Sequence, residues 1–284
     1  MKPAQFNYVR AGSVDQVLEL LEQPAGFVKI LAGGQSLNPT LNMRLSAPDM
    51  LIDINDLDEL KGISLEDGML RVGALTRHAE LEQSELVARH TPLLATAIRH
   101  VAHAAVRNRG TIGGNVSLAD PASELPACCV ALDAGITIQN RQGTRVVRAR
   151  DYFRDLYETD LQENDLMTSI TFPLAAETTV CALREFVRRR GDFAATGLVV
   201  NAELEDGVFT SFSPVFFAVA NTPVLAAGAA QLLVNKTVTA ELVEQAVAAL
   251  DEDVEITGDS NMSTEMKRHL AKHYLREVIG ELHA

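Results

Sequence analysis

Two glycine pairs stand out in this 284-residue chain because each lets backbone approach an anion: Ala32-Gly-Gly-Gln-Ser-Leu37 and Gly110-Thr-Ile-Gly-Gly-Asn115. Glycine permits positive φ and leaves consecutive amides unobstructed, and such nests hold phosphate oxygens. Ser36, Thr111 and Asn115 add short polar side chains suited to phosphate and ribose oxygens. Either loop alone is equally well explained as a tight turn, because short motifs match often by chance. Two together fit a dinucleotide held along its pyrophosphate. The two common nucleotide folds do not apply: no Gly-x-Gly occurs anywhere, and neither loop carries the lysine of a P-loop.

Other residue sets offer less. Cys128 and Cys129 are adjacent and Cys181 is distant, which matches no iron–sulfur or structural zinc spacing. His100 and His103, and likewise His269 and His273, have helical spacing, but neither pair has a third ligand nearby. The run Arg188-Arg-Arg190 reads equally as a solvated strand end, a subunit contact or part of a ligand loop. No Ser-His-Asp or Cys-His arrangement is evident, so no general acid, base or nucleophile is assigned.

The elements that must position the loops follow from periodicity. Ser13-Val-Asp-Gln16 reads as a capping box opening a helix with Val14, Val17, Leu18 and Leu21 on one face. Strands are expected at Phe27 to Leu31, which runs into the first glycine pair, and at Met50 to Ile54. Hairpins are expected to turn at Asp67-Gly68, Gln142-Gly143 and Asp206-Gly207. Thr76 to Val106 has a helical pattern, and a further helix is expected over Ala122 to Leu132. Asp165 to Phe172 reads as a strand closed by Pro173. The small, polar segment Ala175 to Thr179 marks the domain boundary. Beyond it come antiparallel strands and two helices, the last with Met266, Leu270, Tyr274, Val278 and Leu282 in steps of four. Strands and helices interleave irregularly, as in an α+β chain.

Bulk composition narrows the partners. With 47% hydrophobic residues the chain buries a real core, and a net charge of −13 disfavours nucleic acid and anionic membranes. There is no tryptophan for a nucleic-acid stacking platform. No apolar run approaches the ~20 residues of a membrane span. Met1 to Arg10 lacks the pattern of a secretory signal, so the expected location is cytoplasmic.

Four motifs taken in order carry a resemblance. They are the strand followed by Ala32 to Leu37, Arg107-Asn-Arg-Gly-Thr-Ile-Gly-Gly-Asn115, Ala119-Asp-Pro-Ala-Ser-Glu-Leu-Pro126, and Arg189-Arg-Gly-Asp-Phe-Ala194. Together they resemble the FAD-binding medium subunit of molybdenum hydroxylases, the family of carbon monoxide dehydrogenase and xanthine dehydrogenase. The resemblance covers essentially the whole chain. It implies an α+β fold with a two-part FAD-binding domain of the vanillyl-alcohol-oxidase/PCMH type over residues 1–175, with subdomains of about 1–57 and 58–175. A smaller α+β domain, an antiparallel sheet plus helices, would fill 176–284.

The resemblance also implies roles for residues. Ala32, Gly33, Gly34, Gln35, Ser36 and Leu37 would wrap the pyrophosphate. Thr111, Ile112, Gly113, Gly114 and Asn115 would hold the pyrophosphate and ribityl side, with Val101 packing near the flavin. Glu124 falls where relatives place an acidic residue against the adenosine part, often Asp. Met167 falls where an apolar residue's backbone meets the flavin. The Arg190 to Ala194 loop, with Asp192 and Phe193, would cover the isoalloxazine. Many relatives carry a lysine just before the arginine run; this chain has Arg184-Glu185-Phe186 there, so Arg184 is the candidate for that charge. Gln35 stands where covalent flavoproteins carry His or Cys, which implies non-covalent FAD.

Implied partners are an iron–sulfur small subunit and a large subunit with the molybdenum cofactor, in a dimer of heterotrimers, the 2Fe-2S clusters and molybdenum lying only on those partners. Three readings stay open on the residues themselves. They are an electron-relay subunit of such an oxidoreductase, an independent flavin oxidoreductase with its own substrate, and a non-catalytic nucleotide-binding protein.

Overall fold

The computed structural model describes residues 2–23 and 26–283. The first layer is a parallel sheet in the order Asn7–Arg10, Met50–Asp53, Val28–Leu31. Parallel neighbours need crossovers, and helices Val14–Glu22 and Leu37–Asn42 provide them. The Ser13 hydroxyl accepts from the Gln16 amide at 3.2 Å, while Gln16 Oε1 turns back to the Gly12 amide at 2.7 Å. Val14, Val17 and Leu18 then pack with Ile52, Ile54 and Leu75.

The second layer is antiparallel, in the order Ile63–Glu66, Met69–Gly73, Leu166–Pro173, Gly135–Asn140, Gly143–Arg148. Asp67 at φ 49° and Gly68 at φ 74° adopt the two left-handed conformations of a type I′ hairpin turn. Residues 76–106 depart from the helical expectation. They form four short helices, His78–Gln83, Glu85–His90, Pro92–Ala97 and Ala104–Arg107. Ser84 restarts the chain by accepting the Val87 amide at 3.3 Å, and Pro92 has no N–H with which to continue the preceding helix. The turn between the last two carries His100 and Val101.

The third layer is the antiparallel sheet Thr179–Phe186, Thr196–Glu205, Val208–Phe217, Val224–Leu225. Asp206 at φ 49° and Gly207 at φ 77° make its tight turn. One face, with Leu183, Val199, Val215 and Phe217, joins the core around Leu93, Ala97 and Leu125. The other, with Ala182, Leu198, Val200 and Phe216, packs on helices Ala227–Leu233, Ala240–Asp253 and Thr264–His283. This two-sided burial explains why its central strand reads as an almost continuous apolar run.

The last helix is rotated from the expected stripe. It buries Lys267, Ala271, Leu275, Val278 and Ile279, whereas Met266 is 51% exposed. Strict steps of four drift around a helix of 3.6 residues per turn, so the expected stripe cannot stay on one face. Lys267 enters the core because its ammonium is satisfied by Ala218 O and Asp259 Oδ2, both at 2.7 Å.

Candidate functional site

The first glycine loop leaves the C-terminal end of Val28–Leu31. Gly34 adopts φ +70°, which favours glycine, but Gly33 is needed for a different reason. A Cβ on Gly33 would lie 2.8 Å from the Gly110 Cα and closer still to the Arg109 carbonyl oxygen. The two loops therefore touch backbone to backbone at Gly33. Beyond that contact, the amides of Gly34, Gln35 and Ser36 donate to no acceptor among the described residues. The Ser36 hydroxyl caps nothing.

The second loop does not match the expectation of an open nest. The Ile112 amide donates to Thr76 O at 3.1 Å, the Gly113 amide to Ala74 O at 2.9 Å, and the Gly114 amide to Thr111 Oγ1 at 3.1 Å. Gly113 is glycine because a Cβ there would strike Ala74 Cβ at 2.5 Å and its carbonyl at 2.6 Å. Its amides are therefore spent on docking helix Ile112–Leu118 to the central sheet. What this loop presents instead is the exposed edge of Gly114 and the Asn115 side chain. Asn115 Nδ2 donates to Ser123 Oγ at 3.3 Å, while its Oδ1 is buried without a partner. A buried acceptor left in that state costs roughly 1–3 kcal/mol unless a donor arrives.

A polar network absent from the sequence expectations holds the loops in register. Arg77 donates to the Arg109 carbonyl and, at 2.6 Å, to Asn55 Oδ1. Asn55 Nδ2 donates to the Ala32 carbonyl at 2.8 Å and to Asp53 Oδ1 at 2.6 Å. Tyr8 OH donates to Asp53 Oδ2 at 2.5 Å. Burial pushes the Asp53 carboxyl up, but the hydrogen bonds from Tyr8 and Asn55 outweigh it and hold the group below its ordinary value. His78 is buried beside Gly110 and kept neutral by burial, its affinity for a proton lowered to about 4. The available sequence signal was modest: Asn55 and Arg77 are polar residues just beyond apolar strands.

Behind Asn115, Ser123 precedes helix Glu124–Ala131 without a capping hydrogen bond, and Glu124 is 5% exposed at its head. Burial pushes its carboxyl up to about 7, with the charge of Glu185 adding and that of His100 opposing. Val101 is buried nearby in the main core, and Met167 is buried at a bulge in Leu166–Pro173, with its sulfur 3.8 Å from Ser117 Oγ. Asp192 lies in a turn whose amide donates to Arg189 O at 3.0 Å, and Phe193 is 69% exposed. His103 packs under this loop: a Cβ on Gly191 would lie 2.6 Å from its Nδ1. His100 and His103 stand in a turn rather than on one helix face. No group of three or more His, Cys, Asp or Glu side chains among the described residues is arranged to hold a metal ion.

Arg184 is a correction. Side chains alternate along a strand, so Leu183 and Glu185 face the first domain while Ala182 and Arg184 face the C-terminal helices. The Arg184 guanidinium binds Glu277 at 2.9 Å and also contacts Glu281, both on the last helix. The charged group of this stretch on the opposite face is Glu185, whose carboxylate meets His100 at 2.8 Å.

Comparison with known proteins agrees with this geometry. Residues 4–175 match the family model described as the FAD binding domain in molybdopterin dehydrogenase, and residues 181–282 match that of the CO dehydrogenase flavoprotein C-terminal domain. The chain is 35% identical to the caffeine dehydrogenase subunit beta of Pseudomonas sp. (strain CBB1), over 99% of this chain and 95% of that one. It is 34% identical to the carbon monoxide dehydrogenase medium chain of Hydrogenophaga pseudoflava, covering 97% of each. The quinoline 2-oxidoreductase structure from Pseudomonas putida 86 superposes with a TM-score of 0.93 at 32% identity, covering 100% of this chain and 98% of that one.

Proposed function

Because this chain belongs to the family of FAD-binding medium subunits of molybdenum-containing dehydrogenases, we propose that its two interlocked glycine loops hold the FAD of an electron-relay subunit. The chain is the flavoprotein subunit of a heteromeric molybdenum hydroxylase, an oxidoreductase. Electrons reach it from iron–sulfur clusters on a small partner subunit, after substrate oxidation at molybdenum on a large one, and leave to an external acceptor. One observation carries the reading at the level of atoms: the amides of Gly34, Gln35 and Ser36 donate to no acceptor among the described residues, their loop touches the second loop backbone to backbone at Gly33, and that second loop carries a buried, unpartnered Asn115 Oδ1. The residues present therefore fit the group.

The free amides and the Ser36 hydroxyl would bind the pyrophosphate oxygens, which accept hydrogen bonds. Ala32 and Gly33 would set that turn, and Leu37 would seat it through helix Leu37–Asn42. Asn115 Oδ1 would accept from a hydroxyl of the ribityl or ribose chain, and Thr111 would hold Gly114 in place for it. Ile112 and Gly113 support by docking rather than by donating. Glu124 would meet the adenosine or ribityl side, Val101 and Met167 would pack the flavin, and Asp192 and Phe193 would close over it. FAD supplies the two-electron redox chemistry, and the protein supplies its binding, orientation and electrostatics.

We place the boundary between the domains at residues 175 and 176. The change there from the central sheet to the C-terminal sheet, with its own helical core, supports it. We also propose a cytoplasmic location. Three thiols outside any disulfide favour a reducing compartment, and among the described residues no helix is long and apolar enough to cross a membrane.

Purification from the native host tests the whole reading: one FAD per chain, with an iron–sulfur subunit and a molybdenum subunit in the same particle. Acid precipitation should release all the yellow colour, because Gln35 offers no covalent link. A colourless chain, or one that travels alone, would sink the proposal. Arg184→Gln gives an internal check on the site. It is expected to leave FAD content unchanged and to cost at most about 1 kcal/mol, since it breaks half-exposed ion pairs. Loss of FAD in a folded Arg184→Gln protein would return that side chain to the site.

A further inference from the structure

His100, in the turn after Pro92–Ala97, meets Glu185 of the C-terminal sheet, and a third titratable side chain, Glu124, is buried at the head of helix Glu124–Ala131. His100 Nδ1 lies 2.8 Å from Glu185 Oε1. The Glu185 side chain is only 8% exposed, and its Oε2 is buried without a partner. Glu124, 5% exposed, is the third member, close enough for both charges to act on its carboxyl. A cavity of about 440 Å³ opens beside the pair, its other walls including Thr96, Arg99, Val187 and Arg190.

The cluster is bounded on one side by Ser123, which accepts from Asn115 of the second glycine loop, and on the other by the loop of Arg190 and Gly191 over His103. The electron-relay function gives Glu124 a place beside the cofactor but assigns His100 and Glu185 no role.

We propose that His100, Glu185 and Glu124 form a proton-accepting cluster in the wall of the FAD cleft, taking up one proton from solvent when the cofactor is reduced. The proposal rests on the FAD reading above. With His100 protonated and both carboxylates ionised the cluster carries one net negative charge, and in a buried site a further negative charge nearby draws in a proton.

The neighbouring groups set its range. The hydrogen bond to Glu185 raises the proton affinity of His100 against the effect of burial; the charges of Glu185 and Glu124 add, and that of Arg190 opposes. Burial holds Glu124 at about 7, where Glu185 and Asp120 raise it and His100 lowers it. On the far side the charge of Glu185 reaches Tyr274 of the last helix, and that of Glu124 reaches the buried Cys128. With its carboxyl held at about 7, Glu124 is largely ionised near pH 8 and ready to accept a proton, while Glu185 favours the protonated form of His100.

Two electrons come from the partner's iron–sulfur centre, or from dithionite in the test, which is thereby oxidised. One proton from solvent goes to the isoalloxazine ring, and a second goes from solvent to the Glu124 carboxylate. Oxidation returns both.

The test is a dithionite titration of the FAD-loaded full-length chain across pH, reading from the midpoint potential how many protons accompany two electrons. Around pH 8 the wild type is expected to take up close to one proton more than Glu124→Gln. In parallel, the imidazole of His100, followed by NMR, should titrate lower in Glu185→Gln than in the wild type, because the hydrogen bond that raises it is weakened. Equal proton counts in wild type and Glu124→Gln, both holding FAD, would overturn the proposal. If Glu124→Gln releases its FAD, the wild type decides alone: one proton per two electrons at that pH is fatal to it. A chain that never binds FAD refutes the cofactor reading instead, and an unchanged His100 titration in Glu185→Gln still refutes the cluster.

Discussion

Gly33→Val is expected to empty the protein of FAD while leaving it folded. The new side chain has no room, because backbone atoms of Arg109 and Gly110 occupy its place. Backbone yields less readily than the tip of a side chain, and here it is further tied by Arg77 to Asn55. Overpacking strain of about 1–3 kcal/mol at this contact, relieved when the loops part and restored when the cofactor draws them together, lowers affinity roughly five- to a hundred-and-fortyfold. The loops would separate, and the unpartnered amides of the first would move away from Asn115 of the second.

The measurement is FAD per folded chain after gel filtration, from absorbance near 450 nm, with circular dichroism to confirm the fold. Gly280→Ala is the matched control: its Cβ meets nothing within 4 Å, and within a helix it should add up to about 1 kcal/mol of stability. Gly114→Val separates the two possible causes. Its Cβ meets only Thr111 Oγ1 and, at 3.8 Å, Ala32 Cβ, so it would obstruct the cleft without prising the loops apart. A folded Gly33→Val protein that retained its full complement of FAD would mean that the paired loops are ordinary turns.

An equally large effect is expected in turnover. The FAD-loaded chain alone should be bleached by dithionite and by no organic substrate of the complex, with substrate-driven bleaching restored when both partner subunits are added. The physical reason lies in the thiols. Cys128 and Cys129 are fully buried, burial pushes Cys129 up to about 12, and Cys181 is raised by the same cause. Iron–sulfur clusters need thiolates, usually four, and burial holds these three thiols protonated. The centre that feeds the flavin must therefore stand on another polypeptide. Turnover of an organic substrate by the lone chain at roughly 1 s⁻¹ or faster would favour an independent flavin oxidoreductase.

The sequence by itself determined what depends on short stretches of chain. Asp67-Gly68 and Asp206-Gly207 turn where they were expected to, because a two-residue turn is settled by its own φ angles. The order of four motifs carried the family and its α+β architecture. Other features required partners far away in the chain. Gly33 and Gly113 are both glycines of double-glycine loops, yet one is dictated by Arg109 and the other by Ala74, and neither contact has a local signature.

The expected nest at Thr111 to Asn115 lost its amides to the carbonyls of Thr76 and Ala74, whose strand end lies alongside only after the sheet has formed. Asn55 and Arg77 could not be singled out as the clamp across both loops, since their acceptors are backbone carbonyls, which every residue possesses. Arg184 and Glu185 make the same point at one-residue resolution. Charge and motif position favoured the arginine, but alternation along the strand, fixed by which face covers the C-terminal helices, turned it away and brought the glutamate to His100. Which side of a strand faces a site depends on what the sheet buries on each face, and only tertiary packing decides that.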